Sequence, residues 1–394
     1  MKTAINLAAQ IEEALLLRNG ILEDFFSQEK WKLAEACREM SERFLSGGRL
    51  LAFGSGACST DAQHVSVEFV HPVIVGKRAL PALDLSALMQ PWLDIICRPE
   101  DIVMGFGPPR GDPEVWSALD SAHRRGAMTF SLPGADGSYT LQTSIDDSFI
   151  HQELVEIFYH TLWETVHVFL EHRELGQEVG ASEFLYPFLG TKKQETGSIV
   201  KSVADSILMK VHDDTALRGR LAADESEHIG AAALAIHERL ARGGKLIIFG
   251  NGGSATDAND WAMDCVLPPQ GNRSIPAISL SMEPAIVTAL ANDVGTEVVF
   301  ARQLMAHARP EDIAVGISTS GGSRNIVMAL EEARKRKLLT VALLGNDGGE
   351  VARRGLADFP IIVRSDYIPR IQEVQASAYH IILGMLEVLH RDYA

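Results

Sequence analysis

The sequence predicts an α/β protein built twice over, each half a parallel sheet covered by helices on both faces. Three observations carry that expectation. First, the chain repeats itself. GGRLLAFGSGACSTDAQH around Gly54 returns as GGKLIIFGNGGSATDAND around Gly250, and RPEDIVMGFG from Arg98 returns as RPEDIAVGIST from Arg309. HQELVEIFYH around Gln152 likewise returns as IQEVQASAYH around Gln372. Second, short apolar runs alternate with segments of helical periodicity in each copy. Third, such alternation is the pattern of strands laid in parallel and connected by helices.

Each copy reads in the same order. A long amphipathic helical segment comes first, over residues 3–45 in one copy and 196–243 in the other. A short apolar strand follows (Leu50–Phe53; Leu246–Phe249), then a Gly/Ser turn, then a helix. Further strands are expected at Ile275–Leu280, Ile313–Ile317 and Val341–Leu344, and a long helix closes each copy over 148–173 and 369–391. The stretch between them has no clean period and four glycines, so 174–198 is expected as a linker between domains 1–173 and 199–394. The second copy is longer by 15 residues in one stretch and by 9 in another.

Composition narrows the function classes. A chain of 394 residues with 46% hydrophobic residues has material for two or three domains, each with its own core. Its net charge of −16 argues against a nucleic-acid or anionic-membrane partner. No apolar run approaches the ~18 residues that span a bilayer. The N-terminal stretch carries acids within its apolar pattern and reads as a helix, not a signal peptide. Four cysteines (Cys37, Cys58, Cys97, Cys265) without a C-x-x-C form neither a disulfide framework nor a thiolate zinc site. A cytoplasmic globular protein is the expectation.

Two turns of the second copy look like a phosphate cradle. The strand Leu246–Phe249 runs into Gly250-Asn251-Gly252-Gly253-Ser254 and then a helix. Glycines let N–H groups approach an anion, and the helix N-terminus adds partial positive charge. Ser318-Thr319-Ser320-Gly321-Gly322-Ser323 ends another strand and offers four hydroxyls with further amides. Either turn alone is often no more than a tight connection. Two at strand ends of one sheet mark the usual place for a ligand. The first copy has Gly107-Pro108-Pro109-Arg110-Gly111-Asp112 in place of the serine turn, where prolines remove donors and no hydroxyl remains. It also lacks the stretch containing Asn292 and Asp293.

The first copy carries a different asset. His64 and Glu68 at i, i+4 share one helical face, and Gln152 and His160 lie eight residues apart on the closing helix. His, Glu, Gln and His together suit Zn²⁺ and include a carboxylate and an imidazole for proton transfer. By spacing alone, a solvated face or an interhelix hydrogen bond is the bland reading. The second copy has Asp260 and Asp264 at the matching positions, with Gln372 and His380 retained, a second and altered set. Asp61 and Asp257 near helix starts, and Cys58 where the repeat has Ser254, read as structural. Arg324 and Arg370 flank the second copy's turns, either as phosphate contacts or as a solvated face.

GNGGSATDA, LANDVGTEVVFARQL, GISTSGGS and RIQEVQASAYHIILGMLE, which cover nearly all of the second copy, resemble the phosphoheptose isomerases. That family is a branch of the SIS (sugar isomerase) domain family. The first copy is similar through FGSGACSTDAQHVSVEF and the HQE…H helix. The resemblance implies a flavodoxin-like three-layer sandwich in each copy. It implies interconversion of sedoheptulose 7-phosphate and D-glycero-D-manno-heptose 7-phosphate, the first step toward ADP-heptose, with zinc as cofactor. His64, Glu68, Gln152 and His160 match the family's metal and catalytic quartet, with Glu68 and His160 moving protons through a cis-enediol. Asn251, Gly252, Gly253, Asn292, Asp293, Ser318, Thr319, Ser320, Ser323 and Gln372 match its substrate contacts. Copy one keeps the quartet and copy two keeps the loops, so a composite site between the domains is expected. Glu68 lies some ten helical residues beyond its own glycine turn, about 15 Å at ~1.5 Å per residue, which is long for a C7 sugar phosphate to bridge. A homodimer making a pseudo-tetramer of SIS domains follows from the family's tetramers. A non-catalytic scaffold, a sugar-phosphate-sensing adaptor, and an isomerase of another phosphosugar are the alternatives.

Overall fold

The computed structural model describes residues 2–74, 76–134, 137–174 and 196–393. Most of the expected linker, residues 175–195, lies outside them. The chain forms two compact units, each built on one five-stranded, all-parallel sheet. The first unit is Ile21–Asp213; the second combines Met1–Gly20 with Asp214–Ala394. Division by compactness and division by sequence copy therefore differ at the helical ends. The opening residues of α1 (Lys2–Leu45) belong with the second copy's sheet, and the opening residues of α6 (Thr196–Ala241) with the first copy's.

In the first unit, β1 (Leu50–Gly54), α2 (Ser59–Val70), β2 (Ala82–Asp84), α3 (Met89–Ile96) and β3 (Ile102–Phe106) follow one another. Then come α4 (Pro113–Arg124), β4 (Met128–Leu132), β5 (Tyr139–Thr140) and α5 (Ser148–Glu174). The second unit repeats this with β6 (Leu246–Phe249), α7 (Gly253–Val266), β7 (Ala277–Ser279), α8 (Pro284–Asp293), α9 (Val299–His307) and β8 (Ile313–Ser318). It ends with α10 (Arg324–Lys335), β9 (Leu339–Gly345), α11 (Gly349–Arg353), β10 (Phe359–Val363) and α12 (Ile368–Tyr393). Strand orders are β2-β1-β3-β4-β5 and β7-β6-β8-β9-β10, the same order in both sheets. This is the flavodoxin-like order, which places a ligand crevice where the winding reverses, between the first and third strands.

The pleat explains why both faces are covered. Successive side chains of a strand point to opposite faces. Leu50 and Ala52 of β1 join Ile102, Met104 and Phe106 of β3 in one core with α1, α2 and α5. Leu51, Phe53 and Val103, one residue out of step, enter a second core with Val115, Leu119 and Ala122 of α4. Strands buried on both faces must be continuously apolar, and these are. In the second unit Ile247, Phe249 and Ala314 pack with Ile326, Val327 and Leu330 of α10.

The repeated R-P-E-D motif serves the fold. Asp101 accepts the Arg49 backbone N–H at 2.9 Å and a guanidinium nitrogen at 2.7 Å. Asp312 does the same for Lys245, with N–H at 3.0 Å and Nζ at 2.6 Å. Each carboxylate fixes the entry of the first strand beside the third. The helical ends of the second unit are tied by buried polar contacts. Asn19 donates to the Thr215 carbonyl at 2.9 Å, and Arg218 donates to Asn19 at 3.1 Å, Asp214 at 2.8 Å and Ser377 at 2.9 Å. No helix among the described residues is long and apolar enough to cross a membrane.

Candidate active site

The glycine turns form in both copies at the carboxyl ends of β1 and β6. In the second unit Gly252 is the N-cap of α7 with φ 57° and ψ −127°, a conformation that a side chain opposes. Asn251 reaches across to Asn325 at the start of α10 in a reciprocal amide pair, with Nδ2 to Oδ1 distances of 2.9 and 2.8 Å. That pair holds the glycine turn against the serine turn. Sequence reading missed Asn325, because only the packing of two loops 74 residues apart gives it a partner.

The serine turn is organised by its own hydroxyls. Ser318 Oγ accepts the Gly321 N–H at 3.1 Å and lies 3.5 Å from Ser323 Oγ, and Ser320 Oγ accepts the Gly322 N–H at 3.2 Å. Ser323 is the N-cap of α10 and makes no capping hydrogen bond with its side chain. Gly321 has φ 60°, and a Cβ there would fall 2.2 Å from the Gly348 carbonyl oxygen. Only glycine lets these two turns touch. Asn292 and Asp293 end α8, both exposed, with Asn292 donating to Asp293 at 2.7 Å. Arg370 is neither a solvated face nor open to a phosphate: it is buried and pairs with Glu373.

In the first unit the corresponding loop closes on itself. The Gly107 N–H donates to the Leu132 carbonyl at 2.8 Å and the Gly111 N–H to the Pro108 carbonyl at 2.7 Å. Asp112 caps α4 by accepting from the Glu114 and Val115 N–H groups at 2.8 and 3.2 Å. Burial pushes the Asp112 carboxyl up, but the Ser55 hydroxyl and those two N–H groups hold it below its ordinary value. Arg110 points outward, 82% exposed, 3.7 Å from Asp146.

The titratable residues converge in each unit by itself. In the first, α2 supplies His64 and Glu68 and α5 supplies His160, all buried. The Nε2 atoms of His64 and His160 are 3.4 Å apart, and His64 Nε2 is 3.9 Å from Glu68 Oε1. One ligand atom from each of the three lies within 4.8 Å of the others. Gln152 sits half-buried earlier on α5. Two imidazole nitrogens facing each other beside a carboxylate are a donor set that suits Zn²⁺. His151, next to Gln152, is buried, which pushes its imidazole down to about 4 against the opposing Gly107 backbone.

The second unit assembles Asp260, Asp264 and His380 in the same place on its own fold. His380 Nε2 lies 3.3 Å from Asp264 and 3.6 Å from Asp260. Tyr379 donates its hydroxyl to Asp260 at 2.7 Å and stacks on Trp261 with centroids 5.3 Å apart. Burial, and after it the Asp260 charge, raises the Asp264 carboxyl far above the usual carboxylate range, with His380 opposing. Gln372 is buried on α12.

Comparison with known proteins fits this geometry. The SIS domain pattern matches residues 211–345. Phosphoheptose isomerase from Citrifermentans bemidjiense is 42% identical over 182 residues, 45% of this chain and 92% of that protein. The chain belongs to the phosphoheptose isomerase family of SIS-domain proteins. A phosphoheptose isomerase from a Geobacter species is 43% identical over 174 residues, again 44% of this chain and 88% of that protein. Family members of this kind thus correspond to less than half of the chain. The C-terminal domain of glucosamine-fructose-6-phosphate aminotransferase from Francisella tularensis covers 95% of this chain and 96% of its own, with a TM-score of 0.62. At 8% identity it shares the two-sheet fold and nothing finer.

Proposed function

We propose that the protein is an aldose–ketose isomerase that interconverts sedoheptulose 7-phosphate and D-glycero-D-manno-heptose 7-phosphate. The observation that carries this reading is the buried convergence of His64, Glu68 and His160 in a phosphoheptose isomerase family member. Glu68 removes the proton from the carbon beside the carbonyl, giving a cis-enediol, and returns it to the neighbouring carbon. His160 carries protons to and from the two oxygens. His64, Glu68, Gln152 and His160 are the residues that would hold a Zn²⁺, whose chemistry when bound would be to polarise the two oxygens. Burial of the cluster keeps bulk water from reprotonating the enediol.

The sugar phosphate is held by the second copy, through the amides and hydroxyls of Asn251–Gly253 and Ser318–Ser323. Each copy retains what the other has altered, which supports assigning proton transfer to the first and phosphate binding to the second. The test is conversion of sedoheptulose 7-phosphate by the purified chain before and after chelation, with metal content determined on the same sample. Turnover abolished by chelation and restored by Zn²⁺ is the expected result. No turnover and no bound metal would overturn the reading in favour of a phosphosugar-sensing scaffold.

A further inference from the structure

The first unit has an apolar helix face that, among the described residues, nothing covers. In the second unit the chain passes from β7 through α8 to α9. Val287, Leu290 and Ala291 of α8 pack there on the core that holds Val299, Phe300 and Leu304 of α9. The first copy lacks this helix and runs from β2 through Ser86–Leu88 into α3. Counting back from the shared R-P-E-D motif sets Leu93 on Leu304, both fully buried, and hence Leu88 on Val299 and Trp92 on Gln303. Val299 is 3% exposed and Gln303 6%, whereas Leu88 is 60% exposed, Trp92 46% and Ile95 83%. A face left to water favours polar side chains; this one carries Leu, Trp and Ile at the i, i+4, i+7 spacing of one stripe.

Charge, shape and area together indicate the occupant. The acid on α3 is neutralised: Asp94 accepts from Gln90 at 2.9 Å and from Arg125 at 2.7 Å. The stripe therefore offers no charge to draw a strongly basic or acidic partner. In a chain of net charge −16, a locally neutral face is where a second copy can approach without repulsion. The stripe is also self-complementary. In an antiparallel two-fold pairing Trp92 meets its own image, and Leu88 meets the partner's Ile95. A stable interface buries ~1,200–2,000 Å², more than two helical turns supply. The strand leading into α3 widens the surface, since β2 is the edge of its sheet and Leu83 on it is exposed.

We propose that the outer face of α3 joins two copies of this chain, helix to helix, antiparallel across a two-fold axis. The second copy, where the SIS domain pattern falls, keeps α8 over the matching place, so the interface belongs to the first copy alone. The proposal does not rest on the isomerase reading, because its readout is mass. The full chain is sedimented beside two double variants, with thermal midpoints recorded for each. In Leu88→Glu/Ile95→Glu, like charges face each other across the axis; in Leu88→Glu/Ile95→Lys, opposite charges do. The parent and the opposite-charge variant are expected at no less than twice the mass of the like-charge variant. Trp92→Ala, which only trims an exposed ring, is expected to weaken association at least ten-fold, and it decides the matter should a charged variant not fold. Equal masses for parent and like-charge variant, or an unchanged association constant in Trp92→Ala, would overturn the proposal. Failure of the opposite-charge variant to regain the parent's mass would overturn the antiparallel pairing and with it the interface as stated.

Discussion

The two copies share a sheet order and a glycine turn, and they diverge where a side chain can be exchanged without moving the backbone. Tyr159 and Tyr379 occupy matching positions on the closing helices and do different work. In the first unit the Tyr159 ring packs on His64 with centroids 5.4 Å apart, beside a cluster of two imidazoles and a glutamate. In the second, the Tyr379 hydroxyl donates to Asp260, and His380 lies between two carboxylates. Replacing His by Asp and Glu by Asp shortens the reach of one group and changes the charge of the other. The same frame then yields a polar cluster bonded within itself. The loops after β8 and β3 diverge as well: serine hydroxyls accept the Gly321 and Gly322 N–H groups in the second unit, whereas in the first the Gly107 and Gly111 N–H groups bond to backbone carbonyls. The copies thus differ at both places while the strand order stays the same.

The largest expected effect breaks this comparison most directly. Glu68→Gln should lower kcat by about 10²–10⁴, the usual worth of a positioned general base. Asp264→Asn, at the matching position, should lower it by less than about ten-fold. Equal losses in steady-state kinetics would show that the copies do not divide the chemistry. Next, Ser318→Ala should raise the KM for the sugar phosphate about 10–100-fold, as loss of a hydrogen bond to a charged group predicts. The closed loop of the first unit gives the contrast: Arg110→Ala should leave that KM unchanged.

Acidity separates the units again, with opposite signs. His151 has its folded-state value lowered to about 4 from an ordinary ~6.5, so the unfolded chain binds more protons between those limits. Its contribution is present above about pH 6.5 and is lost as pH falls toward 4, on the order of 3 kcal/mol in all. Asp264 is raised, so its contribution is present at low pH and lost as pH rises from the ordinary carboxylate range through the folded value. Denaturant melts across pH should therefore flatten on the acid side in His151→Leu and on the neutral side in Asp264→Asn. Smallest is the turn backbone. Gly252→Ala meets no neighbour within 4 Å, so positive φ alone should cost about 1–2 kcal/mol in thermal melts. Gly321→Ala should cost more, because its Cβ also meets the Gly348 carbonyl.

Much of the site was legible in the sequence because its parts are local. An i, i+4 spacing puts His64 and Glu68 on one face of any helix, and glycines before an apolar helix imply an open turn wherever the strand ends. The residues that escaped have partners far along the chain. Asn325 matters only through Asn251, and Tyr379 only through the hydroxyl it donates to Asp260. Arg370 was legible as a cation near the site, but its burial against Glu373 was not.

By itself the sequence determined where β1, β6, β7, β8 and β9, the long helices and the glycine turns lie, since periodicity and turn chemistry act over a few residues. It also determined that there are two copies and which residue types each has kept. Only the tertiary structure decided the order of the strands and the pairing of one turn with another. It alone placed residues 2–20 in the same compact unit as the second copy's sheet. The physical reason is the same in each case: both copies present the same apolar faces, and which face meets which depends on packing between segments that the local pattern leaves equivalent.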